Sequence, residues 1–115
     1  MAAKDLTQLS DRLRDAVRID ANTEVSWPLG LAAQAIDELA ASGCVLLGLD
    51  LRDYDDEGNF VEVAWSAYRG GGSGRDEIDA ARVEALEGVQ RALVEASKWN
   101  DPWVLVTWKA ATPTQ

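Results

Sequence analysis

The segment from Cys44 to Tyr68 constrains the fold more than any other part of the chain. "CVLLGLDL", Cys44 to Leu51, is too short and too evenly apolar for a surface helix and reads as a central strand. Alternation puts Val45, Leu47, Leu49 and Leu51 on one face, and Cys44, Leu46, Gly48 and Asp50 on the other. A turn centred on Glu57, Gly58 and Asn59 follows, because glycine and asparagine tolerate positive φ, and Phe60 to Tyr68 returns as a second strand. The stretch is therefore a hairpin with a strongly charged tip.

Flanking periodicities supply the cover for that hairpin. Leu6, Leu9, Leu13 and Val17 recur at helical steps, predicting a first helix over Asp5 to Val17. "ANTEVSW" reads as extended or irregular, until Ser26 offers an N-cap and Pro28 a first-turn residue for a second helix. Leu29, Ala32, Ala33, Ile36 and Leu39 would line the buried side of that helix, and Gly43 would end it in the left-handed conformation. "RGGGSGR", Arg69 to Arg75, is a loop, and it lacks both the Gly-Lys-Ser/Thr ending of a phosphate loop and the spacing of a dinucleotide fingerprint.

The longest helix is expected from Asp76 to about Trp99, with Ile78, Ala81, Ala85, Leu86, Val89, Leu93 and Ala96 facing inward. "NDP", Asn100 to Pro102, ends it, and "WVLVTWK", Trp103 to Lys109, is a third strand. The predicted fold is α+β: a small three-stranded, mainly antiparallel sheet with helices packed on it, in the order α-α-β-β-α-β. The third strand is placed beside the first as an edge strand guarded by Lys109. Residues 1–115 are read as a single domain, with an N-terminal helix within 1–20, a glycine-rich loop at 70–74 and a frayed tail at 110–115.

Composition narrows the function. A 115-residue chain that is 47 % hydrophobic can build one core without staples, and five tryptophans argue against a disordered acidic tail. Twenty acids against eleven bases give a net charge of −9, which repels a nucleic-acid backbone and attracts a basic partner. Histidine is absent, removing the commonest general base and metal ligand together. Cys44 is the only cysteine, so there is neither a disulfide framework nor a zinc cluster, and it reads as a core residue. No stretch resembles a signal h-region or the roughly 18 apolar residues of a membrane span, so a cytoplasmic protein that binds no membrane is expected.

The hairpin tip could serve as one of three kinds of site. Asp53, Asp55 and Glu57 followed by Gly58 mimic the opening of an EF-hand, but its twelfth position is Ala64 and its flanks are strands. A carboxylate dyad would need one acid in an apolar environment, and nothing apolar adjoins Asp55 or Asp56 in sequence. No metal, no cofactor and no catalysis is therefore expected. What stands out is charge: Asp50, Asp53, Asp55, Asp56, Glu57 and Glu62 against Arg52 alone, a net −5 of the total −9. Such a patch is either a solvated tip that aids solubility or a grip for a basic surface. Alternation puts Trp65 and Trp108 on core faces, whereas Trp99 and Trp103 lie near element ends, where a half-exposed tryptophan would anchor a partner.

The ordered set "SWPLGLAAQAIDELAASG", "CVLLGLDLRDY", "VEVAWSAY" and "PWVLVTWK" resembles the immunity proteins of bacterial polymorphic toxin systems, specifically immunity protein family forty. Trp27 matches the early tryptophan of that family, Gly48 and Asp50 match the strand motif, and Trp65 matches the aromatic of the next strand. Leu49 replaces an expected glycine, Ala64 an expected asparagine, and the first helix has no counterpart in the pattern. The resemblance implies a protein that neutralises a cognate toxin by binding it, with no catalysis of its own; a monomer is favoured over a homodimer. The expected contact residues are Asp50, Asp53, Tyr54, Asp55, Asp56, Glu57, Trp65 and Tyr68. The alternative is a small acidic secretion chaperone that binds an extended client segment.

Overall fold

A computed structural model describes residues 6–20, 24–68 and 75–110, with side chains described for all of these except 61–68, 75 and 110. The elements are α1 (Asp11–Ala16), β1 (Arg18–Ile19), β2 (Val25–Pro28), α2 (Leu29–Ala41), β3 (Cys44–Tyr54) and β4 (Phe60–Tyr68). They are followed by α3 (Arg75–Val94), a 3-10 turn (Ala96–Lys98) and β5 (Pro102–Ala110). The glycine-rich loop and the terminal tail beyond Ala110 lie outside the described residues.

The fold is α+β, as expected, but the sheet is larger than three strands. Its order is β1-β2-β5-β3-β4, and every neighbouring pair is antiparallel. β5 does lie beside β3, yet it is an interior strand rather than an edge, because its Trp103–Leu105 segment pairs with β2 on the other side. The reason is β2, which the sequence hid. Ser26 is not a helix cap but a buried strand residue opposite Leu105, and Trp27 stands opposite Val104. Four residues are too few to show a period, so only the free side of β5 could reveal that they pair.

Helix α2 begins at Leu29, with Pro28 in the N-cap position. Its buried side is Leu29, Ala32, Ala35, Ile36, Leu39 and Ala40, with Ala33 only half-buried. It ends as the sequence suggested: Gly43 takes φ 87° and donates its amide to the Ala40 carbonyl. Helix α3 stops five residues early, at Val94, where Glu95 donates back to Arg91 and Ala92. Leu93 and Ala96 are consequently exposed, and Ala92 is buried in their stead.

α2 and α3 pack on each other and on one face of the sheet, α3 over β3 and α2 over β2, β3 and β5. Leu49 opposite Val106, and Leu51 opposite Val104, carry that face. The ladder skips Leu47 on β3, a bulge that places Leu46 opposite Trp108. Trp27 is fully buried; its indole N–H donates to the Leu13 carbonyl at 2.9 Å, and its ring lies tilted against Trp108 at 6.1 Å. One residue thus ties α1, β2 and β5 together. α1 itself is shorter than its periodicity implied, because residues before Ser10 form a turn that still buries Leu9.

Glu38 fastens α2 to the turn before α1. Its carboxylate accepts from the Gln34 side chain at 2.8 Å and from the Ser10 amide at 2.7 Å. The Gln34 bond first, and then the Ser10 amide, hold its pKa below the ordinary glutamate range.

Two outcomes follow for denaturation experiments. Trp27→Phe, which keeps an aromatic ring but loses the indole N–H that serves the Leu13 carbonyl and some buried volume, should lower stability by about 1–3 kcal/mol, and Trp27→Ala by about 3–5 kcal/mol. A depressed carboxyl pKa contributes stability above the unfolded-state value of about 4.3 and loses it as pH falls through the folded value. Glu38→Gln should therefore flatten the fall in urea midpoint between about pH 5 and pH 3 relative to the parent; an unchanged slope would show that the Glu38 bonds are not linked to folding.

Candidate functional site

The hairpin tip is built by its own backbone. Asp55 donates its amide to the Asn59 carbonyl, Gly58 donates to Asp55, and Gly58 takes φ 84°, the pattern of a three-residue loop ending in a left-handed glycine. The Asp55 carboxylate accepts from the amides of Glu57 and Asn59, both at 2.9 Å. Asp55 is therefore partly committed to the turn, while Asp56 and Glu57 are fully exposed.

Two of the expected contact residues are elsewhere engaged. Asp53 is only 6 % exposed; its carboxylate accepts from the Asn100 amide at 3.0 and 3.1 Å and from the Asp101 amide at 2.8 Å. It is a clamp that holds the entry to β5 against the end of β3, not a charge offered to a partner. Tyr54 is 4 % exposed, packed edge-on against Phe60 at 6.0 Å and covered by the Arg18 guanidinium at 4.4 Å from its centroid. Burial corrects the expectation that it is a contact aromatic. Its backbone adds to the clamp, since the Tyr54 carbonyl accepts from the Asn100 side chain at 2.8 Å.

Asp50 is half-buried on the sheet face opposite the helices, in register with Leu105 and Ser66. Arg52, counted against the acids in sequence, makes its hydrogen bonds elsewhere. Its guanidinium makes paired bonds to Glu24 at 3.1 and 3.2 Å, and that carboxylate holds its pKa above the ordinary value. Because Glu24 precedes β2 and Arg52 is on β3, the bridge crosses β5, and Leu105 lies buried in that strand. Trp65 stands in β4 opposite Leu51 and Tyr68 opposite Gly48; their side chains lie outside the described residues.

Of the six acids, Asp53 leaves the patch and Asp50 is half-buried, Asp55, Asp56 and Glu57 form the tip, and the side chain of Glu62 lies outside the described residues; the tip also has neighbours that sequence reasoning did not place there. Asp101 is exposed beside the base of the tip, its carbonyl accepting from Tyr54 and its carboxylate from the Trp103 indole at 3.1 Å. Trp103 is half-buried, and Phe60, the first residue of the return strand, is 53 % exposed. The Asp-Pro-Trp run after the long helix was the available signal, but its meaning depended on where β5 lies. Among the described residues no group of three or more acids or thiols could hold a metal ion, and no helix is long and apolar enough to cross a membrane.

No protein-family model, no curated protein and no solved structure matches the chain.

The buried and exposed acids should separate in a stability measurement. Asp53→Ala leaves two amide donors without their acceptor and should cost about 2–3 kcal/mol, whereas Asp56→Ala should stay within about 0.5 kcal/mol of the parent. Equal effects at the two positions would contradict the clamp.

Proposed function

We propose that this chain is an immunity protein, which neutralises a cognate bacterial toxin by binding it, and that the hairpin tip grips a basic surface of that toxin. The observation that carries the reading is an exposed tip held by its own hydrogen bonds. Asp56 and Glu57 are exposed on a turn whose geometry is set by Asp55 and Gly58, and the half-exposed Phe60 ring packs on Tyr54 at the base of that turn. A pre-formed loop loses little entropy on binding, and an apolar ring next to charges is the usual composition of an interface anchor. The net charge of −9 adds long-range attraction for a basic partner, for instance a nuclease domain whose substrate channel is positive. Support also comes from the resemblance at Trp27, Gly48, Asp50 and Trp65. In this reading the protein performs no catalysis, needs no cofactor and acts as a cytoplasmic monomer.

Affinity capture from the native bacterium at low and high salt tests it. The expected result is one stoichiometric basic protein with a toxic domain, released by salt, whose toxicity is suppressed when the two are expressed together. Asp56→Lys with Glu57→Lys should weaken that complex about tenfold, mainly through the association rate, and make its salt dependence shallower. Unchanged affinity and salt dependence would move the interface away from the tip. An obligate homodimer carrying an extended client with no toxic domain would favour a secretion chaperone instead.

A further inference from the structure

We infer that the outer edge of β4 accepts an extended, basic segment of a partner protein as an added strand. β4 ends the sheet, and among the described residues it is paired with β3 alone. Along an antiparallel edge every second residue turns its N–H and C=O away from the sheet, so nine residues present a row of backbone donors and acceptors. At the other end of the sheet the edge strand β1 is only two residues long.

Access and chemistry both favour this edge. The helices pack over the strands inboard of it, α3 over β3 and α2 over β2, β3 and β5. From Phe60 to Tyr68 there is no lysine and no proline, the residues that usually guard an edge. The guard that is present is local: β4 slips register opposite β3 at Val61 and at Ala64, both in the half near the tip. Trp65 to Tyr68 remain in unbroken register with Gly48 to Leu51, and that half is where a new strand would seat.

Charge selects the occupant. Residues 55–68 hold four acids, Asp55, Asp56, Glu57 and Glu62, and no base. A second copy of the chain would set these acids against their own kind, with −9 on each molecule, whereas a segment alternating basic and apolar residues would meet them with opposite charge. A strand seated on Trp65–Tyr68 and continuing along β4 arrives at Asp56 and Glu57, so edge and tip form one surface. This extends the proposed binding role but requires only that the partner be a protein, not that it be a toxin.

The test uses the full chain, labelled with nitrogen-15, and three synthetic peptides: four Lys-Val repeats, the same with a central proline, and four Glu-Val repeats. Amide hydrogen exchange is read residue by residue. With the Lys-Val peptide at saturation, alternate amides within Trp65–Tyr68 should exchange about tenfold more slowly or less, and the other two peptides should leave them unchanged. Ser66→Pro and Ala67→Pro supply the second arm, since one of these adjacent positions directs its N–H outward. That variant should keep its melting temperature within a few degrees and lose the Lys-Val peptide. Protection confined to Asp55–Asn59, equal protection by the Glu-Val peptide, no protection at all, or peptide binding retained by both proline variants would each overturn the inference. The toxin-capture result is independent of this one, so a failed immunity reading and a failed edge reading remain distinguishable.

Discussion

The structure depends on β5 being paired along both of its edges. β3 takes one side over nine register pairs, Cys44 opposite Ala110 to Asp53 opposite Pro102, and β2 takes the other through Ser26, Trp27 and Pro28. Where both sides are paired, at Trp103 to Leu105, the backbone groups are satisfied without water and side chains can be apolar on both faces; Val104, Leu105 and Val106 are all buried. The helix-side face then becomes the core against α2 and α3. The opposite face, which no helix covers among the described residues, lies under long polar side chains: Arg52 bonded to Glu24 across β5, and Arg18 over the rings of Tyr54 and Trp103. Arginine suits that layer because its flat, weakly hydrated head can lie on apolar and aromatic surface.

The same central strand explains the split among the acids. β5 must enter the sheet where β3 ends, directly after the long helix and its 3-10 turn, and the amides of Asn100 and Asp101 at that crossing have no ladder partner of their own. Asp53 supplies the acceptor. An acid whose neighbours in sequence suggest a surface charge is thereby made structural, and the exposed charge is displaced outward to Asp55, Asp56 and Glu57. Fixing the base of the hairpin in this way also fixes the direction of its tip, which is the property a binding loop needs. Among the described residues β4 is paired with β3 alone, so the hairpin brings both a charged tip and an unpaired edge to the same side of the molecule.

Much of this was legible beforehand wherever a local pattern carried it. The hairpin, the exact span of β4, the left-handed glycines at Gly43 and Gly58, the core faces of α2 and of the first four turns of α3, and the burial of Cys44 and Trp108 follow from period, glycine placement and apolar runs. The misreadings share one cause. Ser26 reads as a helix cap because Ser-Trp-Pro has the composition of one, and nothing within four residues says that a free strand edge waits nearly eighty positions away. Asp53 and Tyr54 read as exposed for the same reason: their partners, Asn100, Asp101 and Arg18, are far along the chain.

By itself, then, the sequence determined the three helices, the strands β3, β4 and β5, most of their apolar faces and the strongly acidic balance, because these depend on residues within one or two turns of each other or on composition alone. Only the tertiary structure decided that β5 is central, that β2 exists as a strand, and that β4 is left as an edge. It alone divided the acids of one fifteen-residue stretch, Leu49 to Val63, between a buried clamp and an exposed tip. Those outcomes turn on which hydrogen-bonding edge meets which across long separations in the chain, and a pairing of that kind leaves no mark on the local pattern of either partner.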